Sequence, residues 1–243
     1  MTDRRSSVAV IDLGSYPSVD HPSLRAIGRQ SLLEWTVQRL TESSLLDAIA
    51  ITGASYFSSA VLQMNLMSAK WYPSTATCPL GRCINVAKSA QANWIVLVQN
   101  NCPFVDPILV DRLVAAAWAT PTSDMISFVS PSRPGYSLQG LGIVAQVCRR
   151  RALRRLAGRT DTNDDRDVTK LIHSMPELFH ARYLPLPASL DREGLRWALE
   201  TEDDWEKAHM LLDANTESID YRELAEMAIH CDTNRLRVER RGR

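Results

Sequence analysis

The sequence predicts a three-layer, doubly wound α/β domain on a mostly parallel sheet, and three observations lead there. Short apolar runs recur along the chain: Val8-Ala9-Val10-Ile11, Ala48-Ile49-Ala50-Ile51-Thr52, Trp94-Ile95-Val96-Leu97-Val98 and Met125 to Val129. Segments with helical spacing separate them. The Trp94 run is almost continuously apolar rather than alternating, as a strand covered on both faces is. Strand–helix alternation of this kind implies parallel pairing, with ligands bound beyond the carboxyl ends of the strands.

Each element has a local cause. The first run ends in Asp12-Leu13-Gly14-Ser15-Tyr16-Pro17, which opens a loop reaching about Gly28 and holding Pro17 and Pro22. Ser31-Leu32-Leu33-Glu34 is a capping box, and Leu32, Leu33, Val37 and Leu40 then follow helical spacing. Leu80 to Ala92 has the same periodicity. Asp106-Pro107 starts a helix by two rules, Asp as N-cap and Pro at the first helical position. That helix carries Ile108, Leu109, Leu113, Val114 and Ala117. The last third is less regular. Gly142 to Val147 is apolar, Asp167 to Ser174 reads as helix and Leu195 to Leu199 as strand. Thr201 to Asp204 caps a helix running through Trp205, Ala208, Leu211 and Leu212. With no internal repeat and no linker-like stretch, a single domain is expected over residues 1–232. The basic tail from Thr233 to Arg243 is expected to be disordered.

Composition narrows the functional classes. Hydrophobic residues make up 45% and charged residues 23% of the 243, the mix of a protein with a true core. Lys plus Arg and Asp plus Glu both number 28, and this zero balance argues against nucleic acid as a partner. No run approaches the roughly 20 apolar residues of a membrane helix, and the polar start does not read as a signal peptide. The five cysteines include no CxxC pair, so a cytoplasmic protein with reduced thiols and no zinc site is expected.

Several residues could carry chemistry. Asp12 and Asp20 read as turn carboxylates or as a metal ligand or base. Gly14 and Gly28 read as tight-turn positions, and no phosphate-loop motif is present. Arg25 and Arg29 read equally as anion contacts and as surface residues. Asn100 and Asn101 follow the Trp94 strand, where a ligand site of a doubly wound sheet would lie. The Arg149-Arg159 cluster (Arg149, Arg150, Arg151, Arg154, Arg155, Arg159) could bind an acidic partner, or be a solvated face paired with Asp161, Asp164 and Asp165. His173, His180, His209 and His230 share no metal or triad spacing, and Trp197 and Trp205 read as core.

Four stretches in register resemble the sugar-nucleotide cytidylyltransferases, of the spore-coat polysaccharide and acidic-sugar type. They are Leu24 to Trp35 (LRAIGRQSLLEW), Asn101 to Pro107 (NCPFVDP), Arg166 to Ile172 (RDVTKLI) and Leu195 to Trp205 (LRWALETEDDW). The resemblance spans about residues 8–214 and implies a nucleotide-diphospho-sugar transferase-like fold. It also implies transfer of a cytidylyl group from CTP to a sugar, releasing pyrophosphate, with Mg2+ as cofactor. By the same resemblance Leu13, Gly14, Ser15, Arg25 and Asn100 would contact the nucleotide, Asn101 and Glu200 would hold the metal, and the protein would form a homodimer. The family's first-loop cations fall on Leu13, Ser18 and Pro22 here, and its metal-binding Asp falls on Asn101. Three readings stay open. One is a divergent member of nucleotide-sugar or surface-polysaccharide metabolism with a degraded catalytic loop, weak or inactive. The second is an active CTP:sugar cytidylyltransferase with a modified site. The third is a non-catalytic binding module using the Arg149-Arg159 cluster.

Overall fold

The computed structural model describes residues 5–15, 21–161, 166–214 and 220–227. The chain runs β1 (Ser7–Asp12), a hairpin of β2 (Ala26–Ile27) and β3 (Gln30–Ser31), α1 (Leu32–Thr41), β4 (Ala48–Ala54), α2 (Ser58–Leu62), β5 (Lys70–Ser74) and α3 (Pro79–Ser89). It continues through β6 (Trp94–Val98), α4 (Pro107–Ala119), β7 (Met125–Val129), β8 (Gln146–Arg149), α5 (Arg150–Ala157), α6 (Val168–His173), β9 (Ala181–Pro185) and α7 (Glu202–Ala214). Residues 221–227 are also helical.

Seven strands form one sheet in the order β5-β4-β1-β6-β8-β7-β9. All neighbours are parallel except β8, which runs antiparallel to both β6 and β7. From β1 the chain steps outward through β4 and β5, then returns to place β6 on the other side of β1. The crevice between β1 and β6 is therefore the point where strand order reverses, and doubly wound sheets bind ligands there.

Strand alternation sorts the core into two layers. Ala9 and Ile11 of β1 pack with Leu33 and Val37 of α1, Leu109 and Leu113 of α4, and Trp205 of α7. Val8 and Val10 pack with Val86 of α3, Leu153 of α5 and Leu171 of α6. Both faces of β1 are thus covered, which accounts for its unbroken apolar run. Each fully buried Leu or Val contributes about 1.5–3 kcal/mol relative to exposure.

The helix starts follow the sequence signals. The Ser31 hydroxyl accepts from Glu34 N–H while the Glu34 carboxylate accepts from Ser31 N–H at 2.7 Å, completing the capping box of α1. The other Glu34 oxygen accepts from Asn65 N–H at 2.9 Å. Burial alone would raise the Glu34 pKa, but these donors outweigh it and hold it below its ordinary value. Asp106 caps α4 and is fully buried. Its second oxygen accepts from Tyr221 N–H at 2.9 Å, tying the C-terminal helical residues to the start of α4.

One sequence expectation is corrected. Leu195 to Leu199 form no strand. Trp197, Ala198 and Leu199 are buried in an irregular segment that crosses Gly142. Gly142 has φ +67, and a Cβ there would lie 2.1 Å from Ala198 N, so only glycine lets the two backbones meet. The arginine cluster has a further partner among the described residues. Arg155 reaches the buried Asp124 at 2.7 Å and Arg151 reaches it at 3.9 Å, while Arg149 is buried over the Trp94 ring. Asp124 draws them because a buried carboxylate needs a cation partner. Asp164, Asp165 and the basic tail lie outside the described residues. Among the described residues no helix is long and apolar enough to cross a membrane.

Candidate functional site

A cavity of about 370 Å³ opens at the strand-order reversal, beyond the carboxyl ends of β1 and β6. Its polar wall is Asp12, Gln99, Asn100, Asn101, Gln146 and Asp167. Asp12 belongs there because it shares strand parity with Val8 and Val10, the face toward α3 and α6. Gln99, Asn100 and Asn101 continue from the end of β6.

The first loop is bonded inward. Gly14 turns the chain at φ +84, and its N–H donates to Asp12 Oδ1 at 2.9 Å. Leu13 N–H donates to the Thr52 carbonyl at 2.8 Å, and the Gly14 carbonyl accepts from Ala54 N–H at 3.0 Å. Ser15 Oγ donates to the Thr77 carbonyl at 2.6 Å. Asn100 Nδ2 donates to the Asp12 carbonyl at 2.9 Å, and the Asn100 carbonyl accepts from the Ser23 hydroxyl. The loop thus rests against the ends of β4 and β6.

Arg82 on α3 binds this arrangement together. Its side chain is only 3% exposed. Nε donates to Asp12 Oδ1 at 2.7 Å, and Nη1 donates to the carbonyls of Ala76 and Thr77 and to the Ser15 hydroxyl. Sequence reading missed Arg82. The available signal was a lone cation beside Cys83, on the side of α3 whose later turn carries Val86 and Ala87; a charge there must find a buried partner.

Both helix starts beside the cavity are capped from within. Cys78 Sγ accepts from Gly81 N–H at 3.3 Å, and Pro79 has no N–H. Asp167 Oδ1 accepts from Thr169 N–H and Lys170 N–H at the start of α6. Burial pushes the Cys83 thiol, which also lines the cavity, well above its ordinary pKa.

The sequence-expected residues divide. Asn100 and Asn101 line the cavity. Leu13 is 2% exposed and its side chain joins the core. Gly14 and Ser15 form the adjoining turn. Arg25 lies outside the lining: both its terminal nitrogens bond to Glu202, at 2.6 and 2.7 Å, and its guanidinium lies over the Trp205 ring at 4.3 Å. Arg29 is exposed at the β2–β3 turn. Asp20 lies outside the described residues.

Asn101 and Glu200 do not fit a divalent metal. The Asn101 carbonyl accepts from Leu199 N–H at 2.9 Å, which brings this segment close to Asn101. Glu200, however, accepts from Arg196 at 2.7 Å and is outside the cavity lining. Asn101 supplies only a neutral oxygen, and Asp12 is already neutralised by Arg82. Hard cations select anionic oxygens. Among the described residues no group of three His, Cys, Asp or Glu is placed to hold a metal.

A second cavity of about 490 Å³ shares Gln146 as a wall and is lined by Tyr136, Gln139, Lys170, His173 and Tyr183. His173 stacks on Tyr183 with centroids 5.9 Å apart. Burial lowers the His173 pKa, with Asp167 acting in the opposite sense.

No family model matches the sequence, and no curated protein is similar to it in sequence. Solved structures are similar in fold. A cytidylyltransferase from Leptospira borgpetersenii superposes with a TM-score of 0.80 at 13% identity, covering 94% of each chain. A CMP:2-keto-3-deoxy-manno-octonic acid synthetase solved with CTP gives 0.63 at 13% identity, over 86% of this chain and 99% of that one. The Mycobacterium tuberculosis protein Rv0371c, solved with manganese, gives 0.60 at 17% identity, over 84% and 98%. The architecture of this chain is the α/β fold of the cytidylyltransferases.

Proposed function

We propose that this chain is a divergent cytidylyltransferase-fold protein of nucleotide-sugar or surface-polysaccharide metabolism. It binds a nucleotide-type ligand at the β1–β6 crevice and carries out little or no cytidylyl transfer. One observation carries this reading: the crevice is a formed cavity walled by Asn100, Asn101 and Asp12, while Arg25 is bonded to Glu202 outside it. Cytidylyl transfer depends on neutralising a triphosphate as pyrophosphate leaves. Losing one such clamp costs about 2.7–4 kcal/mol of transition-state stabilisation. By the resemblance, the three loop positions that would supply cations are here Leu13, Ser18 and Pro22. The residues in place do not fit the Mg2+ that the resemblance implies, so no step is assigned to it.

The test is pyrophosphate release from CTP and Mg2+ with a pooled set of sugars, beside thermal unfolding with nucleosides and nucleotides. The expected result is release no faster than a protein-free control, with at least one ligand raising the melting temperature. A ligand at 100 times its dissociation constant adds about 2.7 kcal/mol. Sustained turnover would overturn the proposal in favour of an active enzyme. Light scattering on the same sample tests the homodimer proposed from the resemblance.

A further inference from the structure

We infer that the β1–β6 cavity takes an unphosphorylated nucleoside in preference to the corresponding nucleotide. This deepens the function proposed above and rests on its placement of the ligand. Proteins hold phosphate with cations, loop amides, helix N-termini or a bound metal. Among the described residues beside this cavity, the amides of Leu13 and Gly14, both helix starts and two nitrogens of Arg82 are already engaged.

The segment from Asp12 to Leu24 contains two Asp and no Lys or Arg. The buried Arg82 beneath it is bonded to Asp12, Ser15 and two carbonyls. The amides of Leu13 and Gly14 point back to Thr52 and Asp12. Pro79 and the Cys78 cap close the start of α3, and Asp167 caps α6 with its own carboxylate. Among the residues that line the cavity, Asp12 and Asp167 are acidic and none is Lys or Arg, while Arg82 balances Asp12. The wall therefore repels added negative charge.

What it offers instead is hydrogen bonding without charge. Gln99, Asn100, Asn101 and Gln146 carry amides; Asn100 gives one N–H to the Asp12 carbonyl and the Gln99 and Asn101 oxygens accept from the Cys102 thiol, and each amide keeps further donor and acceptor capacity. Such groups match the edge of a base and the hydroxyls of a ribose. A volume of about 370 Å³ falls in the range of small-molecule sites.

The experiment is calorimetric titration of the full chain with cytidine, CMP and CTP at constant ionic strength, with and without Mg2+. The expected result is affinity falling from cytidine to CMP to CTP, by at least about tenfold end to end. A variant guards the reading. Asn101→Lys adds a cation to the wall and should shift the CTP-to-cytidine ratio toward CTP by at least about tenfold. CTP binding as tightly as cytidine would overturn this inference while leaving the nucleotide site standing. Binding of none of the three would overturn both.

Discussion

The two cavities share Gln146 and α6 yet differ in character. The crevice cavity is walled by side-chain amides and two carboxylates, and the cation beside it, Arg82, is buried with Nε and Nη1 bonded to Asp12, Ser15 and two carbonyls. The neighbouring cavity presents Lys170, a stacked His173–Tyr183 pair and the half-exposed Tyr136. Position in the fold makes the first the proposed ligand site, whereas the adaptable charge and the aromatic surface lie in the second. The difference teaches that adjoining cavities of one sheet can share a wall and still differ in electrostatics.

The largest expected effect strikes the support of the first cavity. Gly142→Ala places a Cβ against Ala198 N at 2.1 Å and Trp197 C at 2.4 Å, in a left-handed backbone. It should cost upward of about 4 kcal/mol in urea unfolding, because neither backbone can yield cheaply. The displaced Trp197–Leu199 segment would also release Asn101, so any folded remainder should lose ligand binding. Next is Arg82→Met, which leaves Asp12 without its cation and should cost about 3–5 kcal/mol. Adding Asp12→Asn should recover part of that loss, and a purely additive double mutant would show that the pair is not coupled.

Acidification should soften the second cavity and the chain at His21 beside the first. Burial lowers the pKa of His21, which sits beside Asp12 and against Phe57, and of His173 in the second cavity. A depressed folded pKa means that stability is present above the ordinary value of 6.5 and is lost as pH falls through the folded value. Melting temperature should therefore drop as pH falls from about 7.5 to 5. His173→Asn and His21→Asn should each flatten that slope, and an unchanged slope in both would refute the assignment. The smallest effect belongs to Lys170→Met. Lys170 is exposed, so stability should stay within about 0.5 kcal/mol. Nucleoside binding should be unchanged, which separates the two cavities directly.

The parts of the fold that were legible in the sequence are those specified by neighbouring residues. Ser31 and Glu34 form the capping box, Asp106-Pro107 opens α4, and the Trp94 run forms a strand buried at the reversal point. The edge strands β5 and β9 escaped notice. Lys70-Trp71-Tyr72-Pro73-Ser74 and Ala181-Arg182-Tyr183-Leu184-Pro185 mix polar residues with Pro, as edges tolerate. Leu195 to Leu199 misled for the opposite reason. Their burial comes from crossing Gly142, not from a strand ladder. In the site, Asn100 and Asn101 were legible from their place after a buried strand. Arg82 and the Asp124 partner of the arginine cluster were not, because their pairings join residues far apart in the chain.

The most direct test of the account is which cavity responds to ligand. In a titration of 15N-labelled protein with cytidine, followed by NMR, the account predicts shifts at Gly14 N–H and at the side-chain amides of Asn100 and Asn101. Shifts confined to Tyr136, Lys170 and His173, or to the arginines of α5, would contradict it and move the function away from the β1–β6 crevice.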